Sequence, residues 1–265
     1  MREIFLRFFE DKPANEFTEI SLYSLNHIIY MVSIFCIVAI VAVKYFNKED
    51  SKKEKVLNIV AILILVSYIS DFFFHPFFNG GTMNENGNII LDKFPFHVCT
   101  ALCPLIVICR YSKHKKAIQT PISVLASVVP FMWIVFPGSA LDTDKSAFSY
   151  EIMQLFVYHG LVFAYGFLSI VLKESKLEIR KCYKEAILVV CVSLWATLGN
   201  SLYSSSNEHY NWFFLEYPVF NFIPDSINPF VVIIFVYIGC MAVYGIYYLI
   251  IYLWNYSKKV SFKHI

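Results

Sequence analysis

The chain has 265 residues, of which 58% are hydrophobic, 18% aromatic and only 16% charged, and its mean hydropathy is +0.57. A soluble domain carries about a quarter charged residues and a disordered one few apolar residues with high net charge, so the composition argues against both. The net charge of +2 is too small to suggest a nucleic-acid partner. What fits is a single all-α transmembrane domain over residues 1–265, with membrane lipids as its surroundings.

In chain order, residues 1–20 lack the basic-then-apolar pattern and small-residue cleavage site of a secretory signal. Ile4, Phe5, Phe8 and Phe9 either share one face of a short interfacial helix or belong to a frayed tail. Apolar runs long enough for a hydrocarbon core of about 30 Å then recur at 22–45, 56–78, 94–111, 117–137, 150–172, 183–204 and 227–254. The expectation is a bundle of seven transmembrane helices, or six if the short third run, which contains Pro104, does not cross. Residues 79–93, with Gly80-Gly81 and Asn86-Gly87, read as an exposed hairpin or loop. Residues 205–226 hold Tyr210, Trp212, Phe213, Phe214, Tyr217, Phe220 and Phe222 without Lys or Arg. That segment is either a lid over a cavity or an aromatic belt at headgroup level.

Loop charges orient the bundle. Lys44, Lys48, Lys52, Lys53 and Lys55 lie between spans one and two, and Arg110, Lys113, Lys115 and Lys116 between three and four. Lys173, Lys176, Arg180, Lys181 and Lys184 lie between five and six, and Lys258, Lys259 and Lys263 follow span seven. These seventeen of the 22 basic residues fall on one side, which the positive-inside rule assigns to the cytoplasm. The N-terminus is then outside, the C-terminus inside, and the location a multi-pass position in the cell membrane. None of the seven cysteines lies in an outer loop, so no extracellular disulfide framework is expected and most act as small apolar fillers.

Ionisable groups inside a membrane need a partner or a function. His27, Asp71, His75, His97, His159 and Asn200, with Cys99 as a possible nucleophile, all fall in the outer half under this orientation. His159 is deepest, roughly 13 Å below the start of span five, and the inner half shows no comparable set. A polar cavity near the outer leaflet is therefore expected. A Cys beside a His suits nucleophilic catalysis, because the base raises the thiolate fraction, and Asp71 could orient the imidazole. On a regular helix His97 and Cys99 would stand about 200° apart, unless Pro95 and Pro104 relax the geometry. Zinc is the competing use of these residues. It is disfavoured because no His-x-x-x-His pair is present and the last span has no His, Asp or Glu; no metal and no cofactor are expected.

His27, the run Pro95-Phe96-His97-Val98-Cys99, His159-Gly160, Asn200, and Asn211-Trp212-Phe213-Phe214-Leu215 ending at Pro218 together resemble the YwaF-like bacterial integral membrane proteins. The resemblance covers most of residues 17–250. That family is distantly similar to animal multipass phospholipid acyltransferases, which implies roles for a Cys and a His. One departure is that the animal cysteine directly precedes the span-three histidine, where this chain has Phe96.

The function expected from these readings is transfer of acyl chains between lipids. Cys99 is the candidate nucleophile and His159 the base, with His97 and Asp71 supporting it; His27, Asn200 and Asn211 are candidate substrate-binding residues. The alternative is a non-enzymatic transporter or a protein that binds a lipid or small solute. A seven-helix sensor fits least, because the inner loops are short.

Overall fold

The computed structural model describes residues 20–78, 94–113, 115–137, 146–203, 211–216 and 224–261. The amphipathic N-terminal segment, the 79–93 loop and the His75 side chain lie outside the described residues. Seven α-helices make up the described chain: α1 (Leu25–Phe46), α2 (Asp50–Phe78), α3 (Val98–Tyr111), α4 (Lys115–Val135), α5 (Tyr150–Val171), α6 (Tyr183–Tyr203) and α7 (Asn228–Ser261). No strand occurs among the described residues. Five of the helices, α1 and α4 to α7, are long and apolar enough to cross a membrane, while α3 is apolar but shorter.

Local chemistry sets the helix starts. Ser24 caps α1 by accepting the His27 backbone N–H at 3.4 Å, and Ser149 does the same for Ile152 at 3.4 Å at the head of α5, each satisfying a donor that has no intrahelical partner. The third helix begins at Val98 rather than at 94. Phe94, Pro95 and Phe96 form a turn in which the Phe96 N–H reaches the Phe94 carbonyl at 2.8 Å, and His97 is the N-cap. Pro104, Pro121 and Pro130 are accommodated within α3 and α4, as neighbouring helices allow in membrane bundles.

The helices alternate in direction. At one end Arg110, closing α3, meets Glu54 near the start of α2 and Glu174 just past α5, and Lys184 of α6 reaches the Ala117 carbonyl of α4 at 3.3 Å. At the other end the start of α1 meets the end of α4 through His27 and Ile134, and the start of α7 meets the 211–216 segment through Asn228 and Phe214. Helices α4 and α5 form the centre, with 67% of each apolar stretch buried; α1 and α7 lie outside, at 11% and 17%. Outer helices that are this apolar and this uncovered require a hydrocarbon solvent. Gly166 makes the central crossing possible, since a Cβ there would lie 2.5 Å from the Ser127 backbone nitrogen of α4. Small residues serve this purpose in membrane bundles.

The basic end corrects one expectation, because it is not bare of buried polar groups. Arg110, whose side chain is fully covered, donates to Asn58 Oδ1 at 2.8 Å, to the Glu54 carbonyl at 3.1 Å and to Glu174 Oε2 at 3.3 Å. Lys115 bridges the same carboxylates, at 2.7 Å from Glu54 and 3.2 Å from Glu174. Glu185 is 1% exposed and accepts from the Tyr244 hydroxyl at 2.7 Å. These residues read as loop or helix-end charges in the sequence. Tertiary packing turns Arg110 and Glu185 inward, and at the edge of the bundle Arg110 and Lys115 compensate the carboxylates of Glu54 and Glu174.

Candidate functional site

The end opposite the basic loops holds the candidate residues. His159 lies in the third turn of α5 and is 6% exposed. Its Nδ1 donates to the Leu155 carbonyl one turn earlier, at 2.8 Å, so the proton is held there and Nε2 carries the free lone pair. The imidazole stacks on Trp133 of α4, with ring centres 3.8 Å apart and planes 12° from parallel. Tyr158 stands perpendicular to it at 5.6 Å. The backbone thus sets the tautomer, a role the sequence suggested for Asp71.

His97 lies within electrostatic reach of His159. As the N-cap of α3 it has extended backbone, φ −71° and ψ 143°, and its side chain makes no capping bond. The helical-wheel objection to pairing it with Cys99 therefore lapses, since His97 is not on the wheel. Its ring meets the edge of Phe214 at 5.8 Å.

Cys99 is 3% exposed within the core. The Tyr158 hydroxyl donates to the Cys99 carbonyl at 2.8 Å. Tyr158 therefore lies between α3 and the His159 ring and couples the two positions. Asp71 belongs to a neighbouring polar seam between α2 and α5, within electrostatic reach of Tyr68, Tyr150 and Tyr158. In that seam Tyr150 donates to Ser70 Oγ at 3.1 Å, and Gln154 donates to the Ser67 carbonyl at 3.2 Å.

His27 and Asn200 make well-defined contacts of another kind. His27 Nε2 donates to the Ile134 carbonyl at 2.9 Å, and Nδ1 accepts the Tyr23 backbone N–H at 3.0 Å. Both nitrogens are engaged, and the residue ties α1 to α4. Asn200 clamps Trp212, accepting its N–H at 2.9 Å and donating to its carbonyl at 3.3 Å. Asn211 Oδ1 accepts the Glu216 N–H at 2.9 Å, closing the short turn that Trp212 begins.

That turn is the cover of the site. Trp212, Phe213 and Leu215 are each 4% exposed, so residues 211–216 fold into the bundle end and do not lie flat as a belt. Phe213 and Phe214 both adopt left-handed backbone, φ 62° and 55°, a conformation that non-glycine residues hold only when their surroundings impose it. The surroundings here are the Asn200 clamp and Asn228, whose amide donates to the Phe214 carbonyl at 2.5 Å. Phe96 is stacked between Trp195 at 5.1 Å and Trp212 at 4.9 Å. Gly199 leaves room for this, because a Cβ there would meet the Phe96 ring at 2.5 Å.

The expected gathering of polar groups therefore resolves into adjoining parts at one end of the bundle. His97 lies against Phe214, His159 stacks on Trp133 beside Tyr158, Asp71 is within electrostatic reach of Tyr68, Tyr150 and Tyr158, Asn200 holds the Trp212 turn, and His27 pins α1 to α4. Sequence reasoning missed Trp133, Tyr158 and Tyr68. Tyr150, Gln154 and Tyr158 do recur at helical i, i+4 spacing and could have marked the polar face of α5; Trp133 has no such signal within an apolar helix. Among the described residues no group of three or more His, Cys, Asp or Glu side chains could hold a metal ion.

No curated protein and no solved structure matches this chain. The model of the TMEM164 family matches residues 22–256, from the lead into α1 through most of α7. The match spans every helix that builds the site, and the chain is accordingly a multipass membrane protein that belongs to the TMEM164 family.

Proposed function

We propose that this protein crosses the cell membrane seven times, with the basic loops in the cytoplasm, and transfers acyl chains between lipids in its outer half. The observation that carries the reading is the buried His159 imidazole, with Nδ1 anchored on the Leu155 carbonyl and Nε2 left as the base, at the end of the bundle where His97 lies against Phe214. An acceptor hydroxyl attacks the carbonyl carbon of a lipid ester while His159 Nε2 takes its proton. The His97 ring N–H donates to the developing oxyanion. As the tetrahedral intermediate collapses, the departing alkoxide recovers the proton from His159, leaving a new ester and a lysolipid. Excluding water under Trp212 and Phe213 favours transfer over hydrolysis.

In this form Cys99 is a buried core residue whose backbone carbonyl accepts from Tyr158. A covalent variant, in which Cys99 Sγ takes the acyl group as a thioester before the acceptor attacks, makes a different demand on the same assay. With the protein in liposomes and a labelled donor lipid, His159→Gln is expected to lower transfer by about 10²–10⁴-fold, and Cys99→Ala to retain it. Loss of transfer in Cys99→Ala with trapped label on the parent protein overturns the direct route. Unchanged transfer in His159→Gln overturns the proposal as a whole, and leaves lipid or solute binding as the use of the site.

A further inference from the structure

Helix α5 carries two chemically different stripes. Tyr150, Gln154 and Tyr158 face the polar seam with α2. His159, Phe163 and Phe167 follow one another at i, i+4 spacing toward α1 and α4, where His159 meets Trp133 and Phe163 meets Phe35 and Phe131. One turn below His159 this second stripe becomes the wall of a groove of about 190 Å³, lined by Phe35, Val38, Ala39, Phe131, Phe163 and Phe167. The floor is covered, with Val38 at 5% and Phe163 at 8% exposure, while Phe131 and Phe167 flank the mouth at 44% and 36%. From His159 to Phe167 the stripe runs on the order of 12 Å along the helix axis.

Every side chain in the groove is apolar, so water finds no hydrogen-bonding partner in it. A polar headgroup would be desolvated there without compensation. A flexible hydrocarbon chain meets neither penalty, and it reaches the groove sideways from the bilayer through the mouth. His159 does not line the groove but stands one turn before Phe163 on the same stripe of α5, so an ester at the imidazole places the tail against Phe163 and then Phe167.

We propose that this groove seats the acyl chain of a membrane lipid, with the ester end at His159 and with Ala39, the smallest side chain in the wall, setting the chain length accepted. The assignment of the ester end rests on the acyl-transfer reading; the seating of the chain does not. A phosphatidylcholine carrying a diazirine midway along one long acyl chain, photolysed in liposomes with the full-length protein, reads the two separately.

Labels are expected within residues 34–39 of α1 and 163–167 of α5, and they should persist in His159→Gln, which removes chemistry and leaves the groove. Ala39→Trp is expected to abolish these labels and to lower long-chain transfer by about tenfold while short chains are still transferred, since single methylenes in an apolar pocket discriminate on that scale. Phe167→Ala, which enlarges the groove and does not depend on Ala39→Trp folding, is expected to shift transfer toward longer chains. Labels spread evenly over outward faces such as Leu194 and Leu198 of α6, or undiminished in Ala39→Trp, overturn the proposal. A chain-length profile unchanged in Phe167→Ala removes the length-setting role. Localised labelling with no transfer by the parent protein supports the groove and sinks the transferase reading alone.

Discussion

Replacing Gly166 by alanine probes the helix crossing on which the site rests. A Cβ at this position would lie 2.5 Å from the Ser127 nitrogen, 2.6 Å from the Ser123 carbonyl oxygen and 2.7 Å from the Ala126 carbonyl carbon. All three atoms are backbone of α4, so no rotamer change relieves the clash and the helices themselves must separate. Ordinary contact begins at 3.4 Å, which demands a shift of about 0.9 Å from the 2.5 Å approach. A gap of that size forfeits a quarter to a half of each dispersion contact around it.

Overpacking of this kind costs about 1–3 kcal/mol, against roughly 0.5–1 kcal/mol regained from the better helix propensity of alanine. Gly245 supplies the internal control, because a Cβ there meets nothing within 4 Å and only the propensity gain operates. The fraction of monodisperse protein in detergent after heating, followed by size-exclusion chromatography, is expected to show a lower midpoint for Gly166→Ala and an unchanged or slightly higher one for Gly245→Ala. Transfer activity should fall with the midpoint, since the Trp133–His159 stack spans the same two helices. A Gly166→Ala midpoint equal to the parent refutes the close-crossing argument, as does an equal fall in Gly245→Ala.

The cover and the basic end give two further expectations. Asn200→Ala removes both hydrogen bonds to the Trp212 backbone, a loss of about 1–3 kcal/mol. It should release residues 211–216, so a cysteine introduced by Leu215→Cys is labelled faster in the Asn200→Ala background than alone; equal rates refute the clamp. At the basic end, the hydrogen bond and charge of Lys115, with a further contribution from Arg110, hold the Glu54 carboxyl below its usual value of 4.5. A depressed folded-state value stabilises above the unfolded value, and that stabilisation is lost as pH falls through the folded one. Thermal midpoints should therefore decline below about pH 4.5, and less steeply in Glu54→Gln. The Glu54 side chain is 51% exposed, so solvent screening keeps its share small; identical pH profiles for the two proteins refute the assignment.

Composition and hydrophobic runs by themselves determined the all-helical membrane class and the approximate extents of seven helices. Burial in hydrocarbon leaves a chain few alternatives, since each helix satisfies its own backbone. Sequence also placed His97, His159, Asp71 and Asn200 at a common end, because alternating helix direction follows from counting spans. Which of these meet was decided only by tertiary packing. His97 left the helical wheel because Phe94–Phe96 forms a turn ahead of α3, and Tyr158 came to bond the Cys99 carbonyl through the packing of α5 against α3. Arg110 and Glu185 turned inward for the same kind of reason. Helix rotation and the partners of a buried charge depend on contacts between segments far apart in the chain, to which hydropathy along one segment is blind.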